Sequence, residues 1–203
     1  LMGRVKPLTR EQVKDYPKSE AIIQIMEKNM STVANSLLTM SMWPELLEAF
    51  TNLSRAVIFT PSEIPPSLKR LVAHVVSRSA GCQYCFAHSA LSGSTVEDLS
   101  TEKIATAFEY ETSNLFSDAE RAALRVAQAA AHVPNAVTDE DFEELHKHFS
   151  DRQIVEIVSV IGVYGFLNRW NDTLATTLEP EPLELAQEIL APTGWQVGKH
   201  AKE

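Results

Sequence analysis

The sequence predicts an all-α, single-domain helical bundle, and three observations carry that reading. Ser117-Asp-Ala-Glu120 and Ser150-Asp-Arg-Gln153 are capping boxes, in which each end residue satisfies the other's free backbone N–H at a helix start. No Asn-Gly or Asp-Gly hairpin turn occurs, and no apolar/polar alternation is sustained. The chain has 203 residues, 44% of them hydrophobic. At that size a domain buries roughly 70% of the surface its unfolded chain exposes, so it needs no disulfide or metal staple.

The elements follow in order. Residues 21–26, 44–50 and 68–80 read as amphipathic helices. Between the last two, Pro61 to Pro66 is a loop holding three of the ten prolines. In the third helix Leu68, Leu71, Val72, Val75 and Val76 make a core stripe, and Arg70, His74, Ser77 and Arg78 a polar one. Gly81 breaks that helix, and a new one starts at Cys82. Behind the Ser117 box runs a helix rich in alanine, suited to close packing. Thr138, followed by three acids at the favourable end of the dipole, opens a shorter helix through His148. The helix after the Ser150 box carries Ile154, Val155, Val158, Ile161, Phe166 and Leu167 all round its circumference, which predicts burial on every side. The tail after Pro192, about residues 192–203, is expected to be loosely attached. No linker divides the chain, so residues 1–203 are read as one domain.

Composition excludes several function classes. With 18 basic against 27 acidic residues the net charge is -9, which speaks against nucleic acid and anionic membranes as partners. The longest uncharged apolar stretch, Ile157 to Asn168, falls short of the roughly 20 residues that a spanning helix needs. Residues 1–20 are polar, with no signal-peptide apolar segment, and Leu1 ahead of Met2 reads as an added residue. Two cysteines do not make a secreted disulfide scaffold. The expectation is a cytoplasmic protein.

The chemistry lies in the segment Arg70 to Leu91. Cys82 and Cys85 are spaced i, i+3 on the first turn of a helix, close enough for a disulfide, and His88 follows by three more residues. The helix start favours a thiolate, Cys82 more than Cys85. Tyr84, Ala87 and Leu91 form a separate stripe that holds this helix on the core while the cysteines face elsewhere. Phe86 after the second cysteine excludes a c-type haem, and two thiolates are too few for an iron–sulfur cluster. A zinc site from Cys82, Cys85, His88 and His74 has no recognised spacing. Inert buried thiols are the bland alternative to a reactive dithiol/disulfide pair. No metal and no organic cofactor is expected. Of the other histidines, His132, His146, His148 and His200 reach the cysteines only through the fold, and Arg169 is expected to pair with a carboxylate.

The segment SRSAGCQYCFAHSA resembles the redox motif of the carboxymuconolactone decarboxylase/alkylhydroperoxidase D-like superfamily, in its peroxidase-related branch. The stretch from Phe116 to Asp172 resembles the family's second half, so that residues of about 35–180 are covered. The resemblance implies an alkylhydroperoxidase D-like bundle that assembles into homo-oligomers and reduces hydroperoxides through a Cys-x-x-Cys dithiol/disulfide cycle, with an external dithiol or thiol protein as reductant. It assigns Cys85 as the attacking thiol, Cys82 as its resolving partner and His88 to the proton relay, against the dipole argument for Cys82. Members of the family carry a histidine where this chain has Ser89, and a relay Glu where it has Arg70, which cannot act as a base. His74, one turn along the same stripe, is the expected substitute, with Arg70 and Arg78 favouring thiolate or holding an anionic substrate. The alternatives are a cofactor-free decarboxylase or lyase acting on a ring-derived carboxylic acid, and a non-catalytic helical partner protein.

Overall fold

A computed structural model describes residues 3–28 and 32–202, leaving Leu1 and Met2 outside the described residues. Among the described residues eleven α-helices follow one another: α1 (Arg10–Val13), α2 (Pro17–Glu27), α3 (Asn35–Met40), α4 (Pro44–Ser54), α5 (Pro66–Ser79), α6 (Gln83–Ser94), α7 (Thr101–Ala105), α8 (Asp118–Ala130), α9 (Asp139–His146), α10 (Asp151–Leu174) and α11 (Pro180–Ile189). No strand occurs among the described residues.

The centre of the bundle is α5, which packs on α6, α8 and α10. Its predicted core stripe, Leu68 to Val76, is buried throughout. So are His74 and Ser77 of the polar stripe. Ser77 Oγ donates to the Ala73 carbonyl and His74 Nδ1 pairs with Ser89 Oγ of α6, while His74 Nε2 is buried with no hydrogen-bond partner. Both predicted capping boxes form, and two more join Thr9 with Gln12 and Thr138 with Asp141.

The turn from α5 to α6 positions the cysteines. Gly81 has φ +76°, with its N–H on the Arg78 carbonyl and the Cys82 N–H on the Ser77 carbonyl. These two bonds end α5 in a Schellman motif, and the left-handed residue is a glycine because a Cβ is penalised there. Nothing surrounds the position within 4 Å of an added Cβ, so Gly81→Ala pays the backbone strain alone. The expected loss is about 1 kcal/mol, or about 2–4 °C in melting temperature for a chain of this size. A thermal melt of the variant measures it.

Two expectations are corrected. The long helix α10 is not buried on every side: Val155 is 58%, Val158 44% and Phe166 39% exposed on the isolated chain. An apolar face kept for another partner reads the same in sequence as a core face. The segment after Pro192 is not loose as far as His200. Trp195 is buried and its Nε1 donates to the Gln83 carbonyl at 3.3 Å. His200 is buried, and its carbonyl accepts from the Leu178 N–H at 2.8 Å. The tail therefore closes over the N-terminus of α6.

The loop before α5 is fixed by another buried acid. Glu156 of α10 accepts the Glu63 and Ile64 N–H groups, both at 3.1 Å, and Arg152 Nε at 3.0 Å. Burial opposes its charge, but the Ser62 hydroxyl together with these donors outweighs it and holds the carboxyl below its ordinary value. Lys69, also buried, donates to the Val57 and Thr60 carbonyls at the end of a π-helical turn, Arg55–Phe59. Unwound turns of this type are frequent at functional sites, and this one forms part of a cavity wall.

Candidate active site

Cys82 is the N-cap of α6, and its Sγ accepts the Cys85 N–H at 3.4 Å. Both thiols are free and both are buried. Cys85 opens onto an apolar cavity of about 660 Å³. Phe50, Ile58 and Phe59 form one wall, and Val163, Tyr164 and Leu167 of α10 another. Tyr84, His88, Arg70 and Asn171 are among its polar members, with Arg55 and Glu48 also on its wall. Cys82 is not among the residues that line it.

The two thiols are shifted in opposite directions. The Cys85 thiol donates to Cys82 and, against the opposing effect of burial, lowers Cys82 below the ordinary thiol value. Burial, and then Cys82 itself, push Cys85 well above that value, while Asn171 Nδ2, donating at 3.3 Å, pulls the other way. The negative charge of the pair thus rests first on Cys82, at the helix start, as the dipole argument expects. The residue in contact with the cavity is nevertheless Cys85.

His88 lies on the cavity and its Nε2 contacts Glu179 Oε2 at 2.6 Å. An ionised carboxylate only accepts, so Nε2 carries the proton and Nδ1 is left as the lone-pair nitrogen of the neutral ring. Glu179 is buried just ahead of α11, where it also accepts Tyr84 OH at 2.8 Å and the Asn35 N–H. Burial raises its carboxyl, but His88, Asn35 and Tyr84 together bring it below the ordinary carboxylate range. Glu179 stands 91 residues from His88. Its one sequence signal is an acid directly before Pro180 at a helix start, a pattern that normally reads as a cap.

The other predicted site residues are divided by the fold. Arg70 reaches the cavity and sits over the Phe59 ring at 5.2 Å. Arg78 does not line it; its guanidinium stacks on Phe108 at 4.1 Å. His74 does not line it either, being packed on Phe86 with ring centroids 4.3 Å apart. Burial, and then Arg78, depress His74 to about 3, so it stays neutral at physiological pH. The position expected of His74, a relay partner for His88, is occupied by Glu179. Arg169 is exposed and donates to the Gly165 carbonyl.

Because folded His74 resists protonation and the unfolded ring does not, its contribution is complete above pH 6.5. It is lost as the pH falls from there towards 3. A His74→Leu variant is expected to lose less melting temperature than the parent between those two values, and to retain the thiol alkylation profile. A changed profile would return His74 to the relay.

An all-helical chain with a Cys-x-x-Cys helix start, a buried acid–histidine pair and an apolar cavity defines a class of small helical dithiol proteins. Residues 44–129 match the carboxymuconolactone decarboxylase family. The debrominase Bmp8 has the same fold with a TM-score of 0.81 and 35% identity, across 91% of this chain and 97% of Bmp8. A variant of Bmp8 solved in complex with 2,3,4-tribromopyrrole gives 0.82 and 34%. An uncharacterised peroxidase-related protein from Ralstonia eutropha JMP134, with an alkylhydroperoxidase AhpD core, shares the fold at 0.76 and 20% identity over 90% of this chain and 95% of its own. The uncharacterised protein YnjA of Escherichia coli (strain K12) is 27% identical over 113 residues, 56% of this chain. That match spans 62% of the length of YnjA. This chain belongs to the carboxymuconolactone decarboxylase family, with the AhpD-like fold. No helix among the described residues is long and apolar enough to cross a membrane.

Proposed function

We propose that the protein is a thiol-dependent oxidoreductase that reduces an organic hydroperoxide in the apolar cavity through Cys85 and Cys82. The observation that carries this reading is the division of labour between the thiols: Cys85 opens on the cavity, and Cys82 stands behind it at the helix cap. The Cys85 thiolate attacks the terminal peroxide oxygen, the O–O bond breaks, and the alkoxide takes a proton to leave as an alcohol. His88, held by Glu179, accepts the Cys85 proton and returns it to the alkoxide. The Cys82 thiolate then attacks the Cys85 sulfenic sulfur and expels hydroxide, which becomes water on taking up a proton. An external dithiol or thiol protein reduces the resulting disulfide. The apolar lining selects a bulky organic peroxide, and Arg70 is the anchor for an anionic group on it.

A second reading has a specific support, the 34–35% identity to a debrominase over nine-tenths of the chain. In that reading the Cys85 thiolate takes bromine from an activated ring carbon, the carbanion is protonated, and Cys82 displaces bromide to close the same disulfide. Both reactions consume two thiols and deliver two electrons. The experiment supplies a dithiol reductant and either cumene hydroperoxide or a brominated pyrrole, and follows peroxide loss and bromide release. Peroxide loss is expected. Bromide release with no peroxide loss assigns the second reading. Neither reaction, or full turnover by both Cys→Ser variants, would overturn the dithiol reading in favour of acid–base chemistry on a carboxylic acid.

The exposed apolar face of α10 supports a homo-oligomer, with Val155, Val158 and Phe166 as its contact stripe. A charge at Phe166 is expected to lower the mass measured by light scattering.

A further inference from the structure

On the side away from the cavity, the thiol of Cys82 meets two groups that the dithiol cycle does not use. One ligand atom each of Cys82, Asp172 and His200 lie within 4.8 Å of one another. His200 is 1% exposed, and its Nδ1 lies 2.7 Å from the Thr176 carbonyl. A carbonyl only accepts, so Nδ1 carries the proton and Nε2 presents its lone pair. That Nε2 is buried and has no hydrogen-bond partner. It points at Asp172 Oδ1 from 3.8 Å, which is too long for a hydrogen bond. Lys199 Nζ holds the other carboxylate oxygen, Oδ2, at 2.7 Å and so fixes the orientation of Oδ1.

These separations suit three donors around one small ion. With metal–ligand distances of about 2.0–2.3 Å, tetrahedral donors lie about 3.3–3.5 Å from one another, so donors now within 4.8 Å close in by up to about 1.5 Å on the ion. A histidine whose second nitrogen donates to a backbone carbonyl is also the usual arrangement behind a metal-bound imidazole. A thiolate, an imidazole and a carboxylate select a borderline-soft divalent cation, with water in the fourth position. We infer that Cys82, Asp172 and His200 form a binding site for one zinc ion, at the base of the dithiol and outside the substrate cavity. The ligand set differs from the one weighed in the sequence, because His200 reaches Cys82 only through the packed tail, while His74 and His88 point elsewhere.

Zinc held there occupies the resolving thiolate. Binding itself does not depend on the peroxidase reading; its consequence for turnover does. When the Cys85 sulfenic acid reacts with zinc-bound Cys82, the S–S bond forms, hydroxide leaves, and zinc loses its sulfur donor. The ion therefore binds the reduced protein and is released on oxidation.

The test titrates zinc chloride into reduced, chelator-stripped protein against a chromophoric chelator, and repeats it with cobalt(II) for the thiolate charge-transfer band. One ion per chain is expected. His200→Ala and, as a variant that leaves every side chain of the tail in place, Asp172→Asn are each expected to weaken binding about 10–100-fold. Cys85→Ser should bind within about threefold of the parent, since that thiol is not a ligand. Binding lost in Cys85→Ser but kept in both His200→Ala and Asp172→Asn would mean a simple dithiol chelate and overturn the site. Absence of stoichiometric binding would overturn it too. Because no turnover is read, failure of the peroxidase reading leaves this result intact.

Discussion

Cys85→Ser is expected to abolish turnover, with a loss on the order of a thousandfold or more, the scale seen when a nucleophile is removed from a covalent mechanism. The chain has two cysteines, so a single substitution also removes any intramolecular disulfide. The informative contrast is Cys82→Ser. Cys85 still faces the cavity in that variant, so one equivalent of hydroperoxide is consumed and the chain stalls as a sulfenic acid, heavier by about 16 mass units. Turnover also stops there, for want of a resolving thiol. If instead Cys82→Ser fails to react and Cys85→Ser gains the oxygen, the roles are reversed and the dipole argument outweighs position. Stopped-flow peroxide consumption and intact mass distinguish the two.

Glu179→Gln is the second large effect. The carboxylate takes His88 on one oxygen and Tyr84 with Asn35 on the other, Tyr84 being buried and the other two half-buried. An amide keeps the volume but brings a donor to a place where donors already converge. Activity is expected to fall about a hundredfold, within the range that acid–base assistance supplies. Stability is expected to drop by about 1–3 kcal/mol, since a buried donor is left without an acceptor. The pH dependence has a definite sign. The folded carboxyl lies below its ordinary 4.5, so its stabilisation is present above that value and disappears as the pH falls through the folded one. Glu179→Gln should therefore flatten the acid limb of the melting curve. A variant with unaltered kcat/KM would show that the pair is structural and that His88 works without it.

Much of this fold is legible in the sequence because its signals are local. The Ser117 and Ser150 boxes, the Gly81 break and the Cys82 start each depend on residues within one turn. The site is half legible for the same reason. Cys82, Cys85 and His88 share one helix start, whereas Glu179, Asn171 and His200 arrive from elements about ninety or more residues away. No periodicity marks such an arrival. The polar stripe through His74 misleads, because His74 is buried on Phe86 with Nδ1 on Ser89 rather than placed at the cavity. Val155, Val158 and Phe166 misled in the opposite sense, as apolar residues that α10 leaves uncovered. The tail beyond Pro192 carries glycine and lysine like a loose arm, and its attachment rests on two side chains, Trp195 and His200.

The central claim is that Cys85 and Cys82 act as a redox pair on a substrate entering from the cavity. Intact mass of the fully reduced, metal-free protein before and after one equivalent of an organic hydroperoxide tests it most directly. A loss of about two mass units, reversed by a dithiol and absent from either Cys→Ser variant, is the predicted result. An unchanged mass with both thiols still open to alkylation after unfolding would contradict it and reduce the cysteines to packing.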